Sequence, residues 1–412
     1  MKTQVLLDHI VDARSWTLAL FDEIDEGDLI GPQLAIVNPP LWEVAHVGWF
    51  WERWILRHCG GLPSNITSTD PDALYNSAAV EHHGRWRSVL LPRGPVLDYL
   101  ASTHEQVLEA VAKNGQDPEL NYFAQLSLYH EDMHVESLLF TRQTLGHSRP
   151  ANLPARPQGI PTRPLASQDM HVKGGDVPIG APRDTEFVFD NEKWEHLVRV
   201  KDFQIASLAT SELEFAEFVN SGGYQTREWW CTEGWAWRVS EDSKHPVYWR
   251  GGATSGWEVR EFEDWRPLRT DLPVMHVNWY EAQAWCRWAG RRLPTEAEWE
   301  TACKQCMQRG ANPASHMDLK FAGCAPVLEM PGPARCQFLG GNVWEWTDCS
   351  FEPFDGFDID PYREYSEPWF GTHKVQRGGC FSTRSRMMRP TLRNFLVPES
   401  RDRFSGFRSC PI

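Results

Sequence analysis

Two histidines four residues apart, His130 and His134, are the first residues in this 412-residue sequence that could do chemistry together. They lie in the run Tyr129-His130-Glu131-Asp132-Met133-His134. The run reads as part of a long helix, and residues four apart share one helical face, so both imidazoles can reach one ion. Alone, the run has the H-E-x-x-H form in which two histidines hold zinc and the glutamate, here Glu131, is the general base. Two unrelated histidines at that spacing would look the same. His46 changes the reading. It sits among Trp42, Val44, Val47, Trp49 and Phe50 in a second helical pattern, where an unpartnered imidazole would be costly to bury. One ligand from that helix and two from the other make a neutral site of His46, His130 and His134 with open coordination positions. Imidazole suits iron, zinc, copper and nickel alike, so ligand type does not choose the metal.

The elements that must position these residues are helical. Residues 1–146 carry apolar periodicity from Val5 to Ile24, then a helix capped by Asn38 with Pro39 and Pro40 in its first turn, running through LWEVAHVGWFWERWIL. A third helix is expected from about Val96 to Lys113 and a fourth from Pro118 to Leu145, stopped by Gly146. Four helices with one long connection predict a helix bundle, a usual home for a metal site. Residues 147–168 are proline-rich and read as an extended linker. From 169 to 412 the pattern becomes short β-like runs with many Gly and Trp, and helices are expected only at Ser211–Asn220 and Trp279–Ala289. The fold class expected is α+β.

Composition narrows the partners. A formal charge of −15 argues against nucleic acid. The 21 Trp make a quaternary-ammonium ligand worth considering, since indole is the best face for a cation. No stretch has the apolar length of a membrane span. The opening residues carry Asp8 and Asp12 and no long apolar run, unlike a signal peptide. The ten Cys are scattered, only Cys303 and Cys306 are spaced C-x-x-C, and reduced thiols in a cytoplasmic protein are expected.

One His in NPPLWEVAHVGWFWE and two in YHEDMHVE, then a Pro-rich linker and a Trp-rich second domain, resemble the ergothioneine-type sulfoxide synthases. Those enzymes join a DinB-like four-helix bundle to a C-type-lectin-like domain related to formylglycine-generating enzyme. The second domain here carries the matching phrases LPVMHVNWYEAQAWCRWAGRRLPTEAEWE, GGNVWEWT, QRGGCFST and FSGFR. The resemblance implies that His46, His130 and His134 bind iron(II), with O2 as co-substrate. It leaves open whether a structural Ca2+ occupies the GGNVWEWT region. Arg393-Asn394-Phe395 matches the segment lining the family's betaine pocket, where Asn394 and Phe395 would meet a trimethylammonium group. Pro361 to Ser366 matches the segment with the active-site tyrosine, and Tyr362 is preferred over Tyr365 as the group that delivers a proton to bound oxygen. Met133, between the two helical histidines, is counted with the substrate-binding residues.

Departures from the family pattern bear on the second substrate. Members that use γ-glutamylcysteine have an acid and an arginine where this chain has Leu396 and Ser400. Arg85 or Arg87, in HHGRWRS, could match a further donor-binding arginine. A zwitterionic donor without its clamp would leave charges poorly paired in a closed site. An uncharged, hydroxyl-rich donor fits better and points to the selenoneine-synthase branch, which takes a selenosugar. Cysteine or γ-glutamylcysteine as donor is the alternative. Thr383 and Met388 stand where a formylglycine generator needs its copper-binding cysteines, so Cys380 is not read as a nucleophile. The reaction implied is oxidative coupling of a chalcogen to the imidazole C2 of hercynine, a histidine betaine, at the domain interface. A zinc hydrolase, a metal-dependent thiol transferase and a lectin-like binding module are the readings from other classes.

Overall fold

The computed structural model describes residues 1–65, 70–156, 167–312, 317–325 and 340–412. The chain divides into two compact units, Met1–Leu145 and Gly146–Ile412. Residues 157–166 of the expected linker lie outside the described residues.

The first unit is helical. α1 spans Thr3–Asp22, α2 Pro40–Trp51, the short α3 Pro71–Tyr75, α4 Arg93–Asn114 and α5 Pro118–Leu145. α1 and α2 each pack on α4 and α5, which is the expected four-helix bundle, with α3 in the long connection. Every residue of α2 is buried. A helix apolar on all sides belongs in a core, and there its polar residues, Glu43 and His46, must find partners. Two local expectations need correction. Pro39 caps α2, because the Asn38 side-chain oxygen accepts from Arg85 Nη1 at 2.5 Å instead. After Trp51 the chain winds as a π-helix over Glu52–Cys59, where uniform α-helix was expected. Buried Glu52 opens that stretch, accepting from the Asn65 amide at 3.0 Å and pairing with Arg57 at 3.3 Å. α5 has the expected limits, and Gly146 follows it at φ +71°, a left-handed conformation that glycine adopts without penalty.

One carboxylate ties the bundle together. Glu131 on α5 accepts from Arg14 Nε at 2.8 Å and Thr17 Oγ1 at 2.7 Å, both on α1, and from Trp51 Nε1 at 2.7 Å at the end of α2. Burial alone would raise its pKa, but the Arg14 charge and these donors hold it below the usual glutamate value. Its oxygens are committed to structure, so the reading of Glu131 as the general base of a zinc hydrolase is not supported.

The second unit is α+β. β1 (Asp169–Val172) pairs with β4 (Phe203–Ala206), and β2 (Gly175–Ile179) with β3 (His196–Val200), both antiparallel. α6 (Glu212–Asn220) and α7 (Thr232–Ser240) precede an antiparallel sheet of β5 (Trp249–Gly252), β6 (Gly256–Glu261) and β7 (Asp264–Pro267). Then come α8 (Trp279–Trp288), β8 (Arg291–Arg292) and α9 (Glu296–Gln308). The largest sheet has the order β11-β10-β9-β12, from β9 (Trp344–Ser350), β10 (Lys374–Arg377), β11 (Arg393–Leu396) and β12 (Ser405–Phe407), and β13 (Cys410–Pro411) pairs with β8. α6 and α8 lie where helices were expected, each opened by a capping box, from Ser211 and Asn278. α7 and α9 were missed. α9 also has a capping box, Thr295 with Glu298, so its signal was in the sequence. α7 has only the Cys231 sulfur at its cap, a poor acceptor, which is why its start is hard to read.

The phrases on which the resemblance rests are joined to one another by buried ion pairs. Glu296 and Glu300 of α9 hold Arg377 at 2.6 and 2.7 Å, Glu296 also holds Arg393 at 2.6 Å, and Glu345 of β9 holds Arg408 at 2.7 Å. Glu345 also accepts from Trp299 Nε1 at 2.7 Å, so its carboxylate is not free for a calcium ion. The expectation of wholly reduced thiols also needs correction, because Cys306 is disulfide-bonded, whereas Cys303 is free and buried.

Glu131→Leu will strand the Arg14 charge inside the bundle, at a cost of about 3–5 kcal/mol. The check is the urea midpoint of the variant, and with α5 released from that clamp the folded fraction should bind divalent metal more weakly than the parent.

Candidate metal centre

The bundle brings His46, His130 and His134 together, with one ligand atom of each within 4.8 Å of the others. Among the described residues this is the one such cluster of histidine, cysteine and carboxylate groups. His46 Nε2 and His130 Nε2 lie 3.2 Å apart. Two nitrogens about 2.0–2.1 Å from one ion, at tetrahedral or octahedral angles, would lie about 2.9–3.4 Å apart, so the spacing fits a shared metal.

The partners of the rings fix which nitrogen faces the ion. His46 Nδ1 lies 2.6 Å from the Tyr75 carbonyl at the end of α3. A carbonyl only accepts, so Nδ1 carries the proton and Nε2 keeps its lone pair. His134 Nδ1 lies 2.8 Å from Glu43 Oε1, with the same consequence. Burial, with His134 and Arg85 nearby, pushes His46 well below the usual imidazole pKa, and burial with His134 and His46 does so for His130. Both are therefore neutral near pH 7, as a metal ligand must be. Glu43 was not singled out from the sequence. Its signal was a glutamate in an otherwise apolar helix, three residues before His46.

The other expected residues of the first unit divide. Arg85 stacks 4.2 Å above Trp42, whose ring lies parallel to His46 at 4.9 Å, so Arg85 belongs to the surroundings of the triad. Met133 is partly exposed between the two histidines. Arg87 is exposed and has no such association.

In the second unit Tyr362, Tyr365 and Phe395 form one aromatic cluster. The tyrosine rings are 6.1 Å apart, and Tyr365 stands edge-on to Phe395 at 5.9 Å while stacking on Phe189 at 4.7 Å. Burial, with Asp190 and Glu192 near, pushes the Tyr365 phenol well above its usual value, so it remains protonated. Ser366, the next residue, donates to buried Asp190 at 2.5 Å and pins the segment. Burial pushes the Asp190 carboxyl up to about 6, despite the Ser366 hydroxyl and with Asp360 adding to the rise. Asn394 donates to Gln376 at 3.0 Å and its oxygen accepts from the Phe395 amide at 3.0 Å. Phe395 stacks on Phe351 at 4.1 Å.

A model of the DinB superfamily matches residues 9–138, and one of the sulfatase-modifying factor enzyme 1-like domain matches residues 158–321 and 336–410. The chain is 32% identical to hercynine oxygenase of Mycobacterium tuberculosis, over 97% of either protein. It is 31% identical to hercynine oxygenase of Mycolicibacterium smegmatis, over 98% of either. The chain belongs to the ergothioneine-type sulfoxide synthase family. It is also similar to formylglycine-generating enzyme of Mus musculus, at 29% identity over 64% of this chain and 79% of that protein.

Within this family, the two positions that depart from the expected acid and arginine are both occupied by structure. Leu396 packs against the aromatic core that holds Trp285, Trp346 and Phe407. Ser400 is buried, and its hydroxyl donates to Asp402 at 2.8 Å. Neither side chain offers a charge to a ligand.

Two outcomes follow. His134→Ala should weaken Co(II) binding by more than about 100-fold, followed by titration of the d–d absorption. Asp190 binds a proton more tightly folded than unfolded, so stability falls as pH rises from about 4 to about 6 and the loss is complete above that. Asp190→Asn should remove that fall, about 2–3 kcal/mol in all, seen by comparing urea unfolding of parent and variant at pH 4 and pH 7.

Proposed function

We propose that this chain is an iron(II)- and O2-dependent enzyme that joins a chalcogen to the imidazole C2 of hercynine, with a selenosugar as donor. The observation that carries the reading is a triad of two buried histidines and one partly buried, with Nε2 of His46 and His134 left free for a metal, in a chain related along its whole length to hercynine oxygenases. Bound there, iron(II) would supply the redox chemistry with O2.

The roles of the chain's own residues follow from their chemistry. His46, His130 and His134 hold the ion as neutral ligands. Phe395 offers an aromatic face and Asn394 an amide to a trimethylammonium group, which has no N–H to donate and is recognised by its charge. A protonated phenol can deliver a proton, the part assigned to Tyr362 or, failing it, to Tyr365, whose phenol burial keeps protonated. Arg85, already placed against Trp42, can meet polar groups of the donor. The selenosugar reading is supported by Leu396 and Ser400, since an uncharged polyol needs no charged clamp.

Anaerobic loading with iron(II), followed by O2 uptake with hercynine and each of a selenosugar, cysteine and γ-glutamylcysteine, tests the reading, with products identified by mass spectrometry. Coupling to the selenosugar is expected. Coupling only to a thiol would keep the reaction type and sink the donor assignment, and absence of any hercynine-dependent uptake would sink both. Tyr362→Phe should lower turnover about 10²–10⁴-fold while Tyr365→Phe changes it less. The reverse pattern moves the role to Tyr365.

A further inference from the structure

Buried glutamates in this protein are, with few exceptions, matched by arginine. Glu131 has Arg14, Glu296 and Glu300 have Arg377, Glu345 has Arg408 and Glu212 has Arg266. Glu43 is different. It is 0% exposed, in the middle of a helix buried on every side, and among the described residues no arginine or lysine pairs with it. One oxygen, Oε1, meets His134 Nδ1 at 2.8 Å, and the other, Oε2, is buried without a hydrogen-bond partner. A carboxylate in such a place is costly unless a positive charge lies close by. The nearest structure that could bring one is the triad itself, through the far nitrogen of the ring that Glu43 holds.

We propose that Glu43 is a positioning residue of the metal centre, holding His134 in the tautomer and ring orientation that present Nε2 to the ion and offsetting the ion's charge. The inference rests on His46, His130 and His134 being the metal ligands. It goes beyond that assignment by giving the three ligands unequal support. His46 is oriented by a neutral carbonyl, from Tyr75, whereas His134 is oriented by a carboxylate. A carboxylate on the distal nitrogen makes an imidazole a stronger donor as well as a better-aimed one. The spacing in sequence is economical. Glu43 and His46 are three apart on α2, so one face of one helix carries a ligand and the support for another ligand on α5.

The test uses the full chain, apo protein titrated with Co(II), in the parent and in Glu43→Gln, Glu43→Ala and His134→Ala. The parent should bind one equivalent, and His134→Ala should bind far more weakly. Glu43→Gln keeps an oxygen for the Nδ1 proton but loses the charge, and it should raise the Kd about 10–100-fold. Glu43→Ala should do so at least as strongly. A merely structural glutamate would lower the thermal midpoint of the apo protein and leave the Co(II) affinity and spectrum unchanged in the folded fraction, which would overturn the proposal. Should Glu43→Ala not fold, the isosteric Gln variant carries the test. A second readout is the exchangeable imidazole N–H resonance in the Co(II)-loaded protein. Slow exchange of the His134 proton in the parent and faster exchange in Glu43→Gln are expected, and equal exchange would count against the proposal. If His134→Ala binds Co(II) as well as the parent, the ligand assignment fails, and that outcome is separate from any result at position 43.

Discussion

A charge taken out of water must meet its opposite, or the fold that holds it does not persist. Much of this molecule is arranged around that requirement. The bundle closes over Glu131 by turning Arg14, Thr17 and Trp51 toward it. The second unit stacks α9 against its main sheet by pairing the acids of the helix with arginines from β10 and β11. The histidine triad obeys the same rule in another form: burial keeps His46 and His130 neutral, and the outer nitrogens of His46 and His134 donate to oxygen.

This separates two kinds of motif that look alike as text. TEAEWE, GGNVWEWT, QRGG and FSGFR contain glutamates, arginines and tryptophans in close company, the usual composition of a catalytic site. In the structure they are the internal braces of one unit, with Arg377 and Arg408 fully buried and committed. The histidines of α2 and α5, by contrast, have their inner nitrogens turned to each other at a spacing that suits an ion.

What could be read from the sequence follows from how local each signal is. The bundle helices and the pairing of His130 with His134 were legible because helical periodicity and an i,i+4 spacing survive without knowledge of neighbours. His46 was legible because it interrupts an apolar run. The true direction of Glu131 was not, since adjacent helical positions point about 100° apart and only the packing of α1 decides what lies on each side. Asn38 was misread for a similar reason. Its amide is a good cap in isolation, and Arg85, 47 residues away, outbids the helix for it. The 21 Trp gave little about the ligand. Many of them, Trp249, Trp285 and Trp346 among them, fill the core of the second unit.

The clamp on Glu131 also sets an angle. Glu131 follows His130 directly, so the groups that grip it from α1 and α2 act as a torsional stop on α5. A helix of this kind carries its side-chain tips about 5–6 Å from its axis, and a turn of about 10° would swing them by about 1 Å. That is enough to spoil the aim of an imidazole at a shared ion. The carboxylate that looks like part of the chemistry thus works as a datum, the fixed mark from which the directions of His130 and His134 are measured.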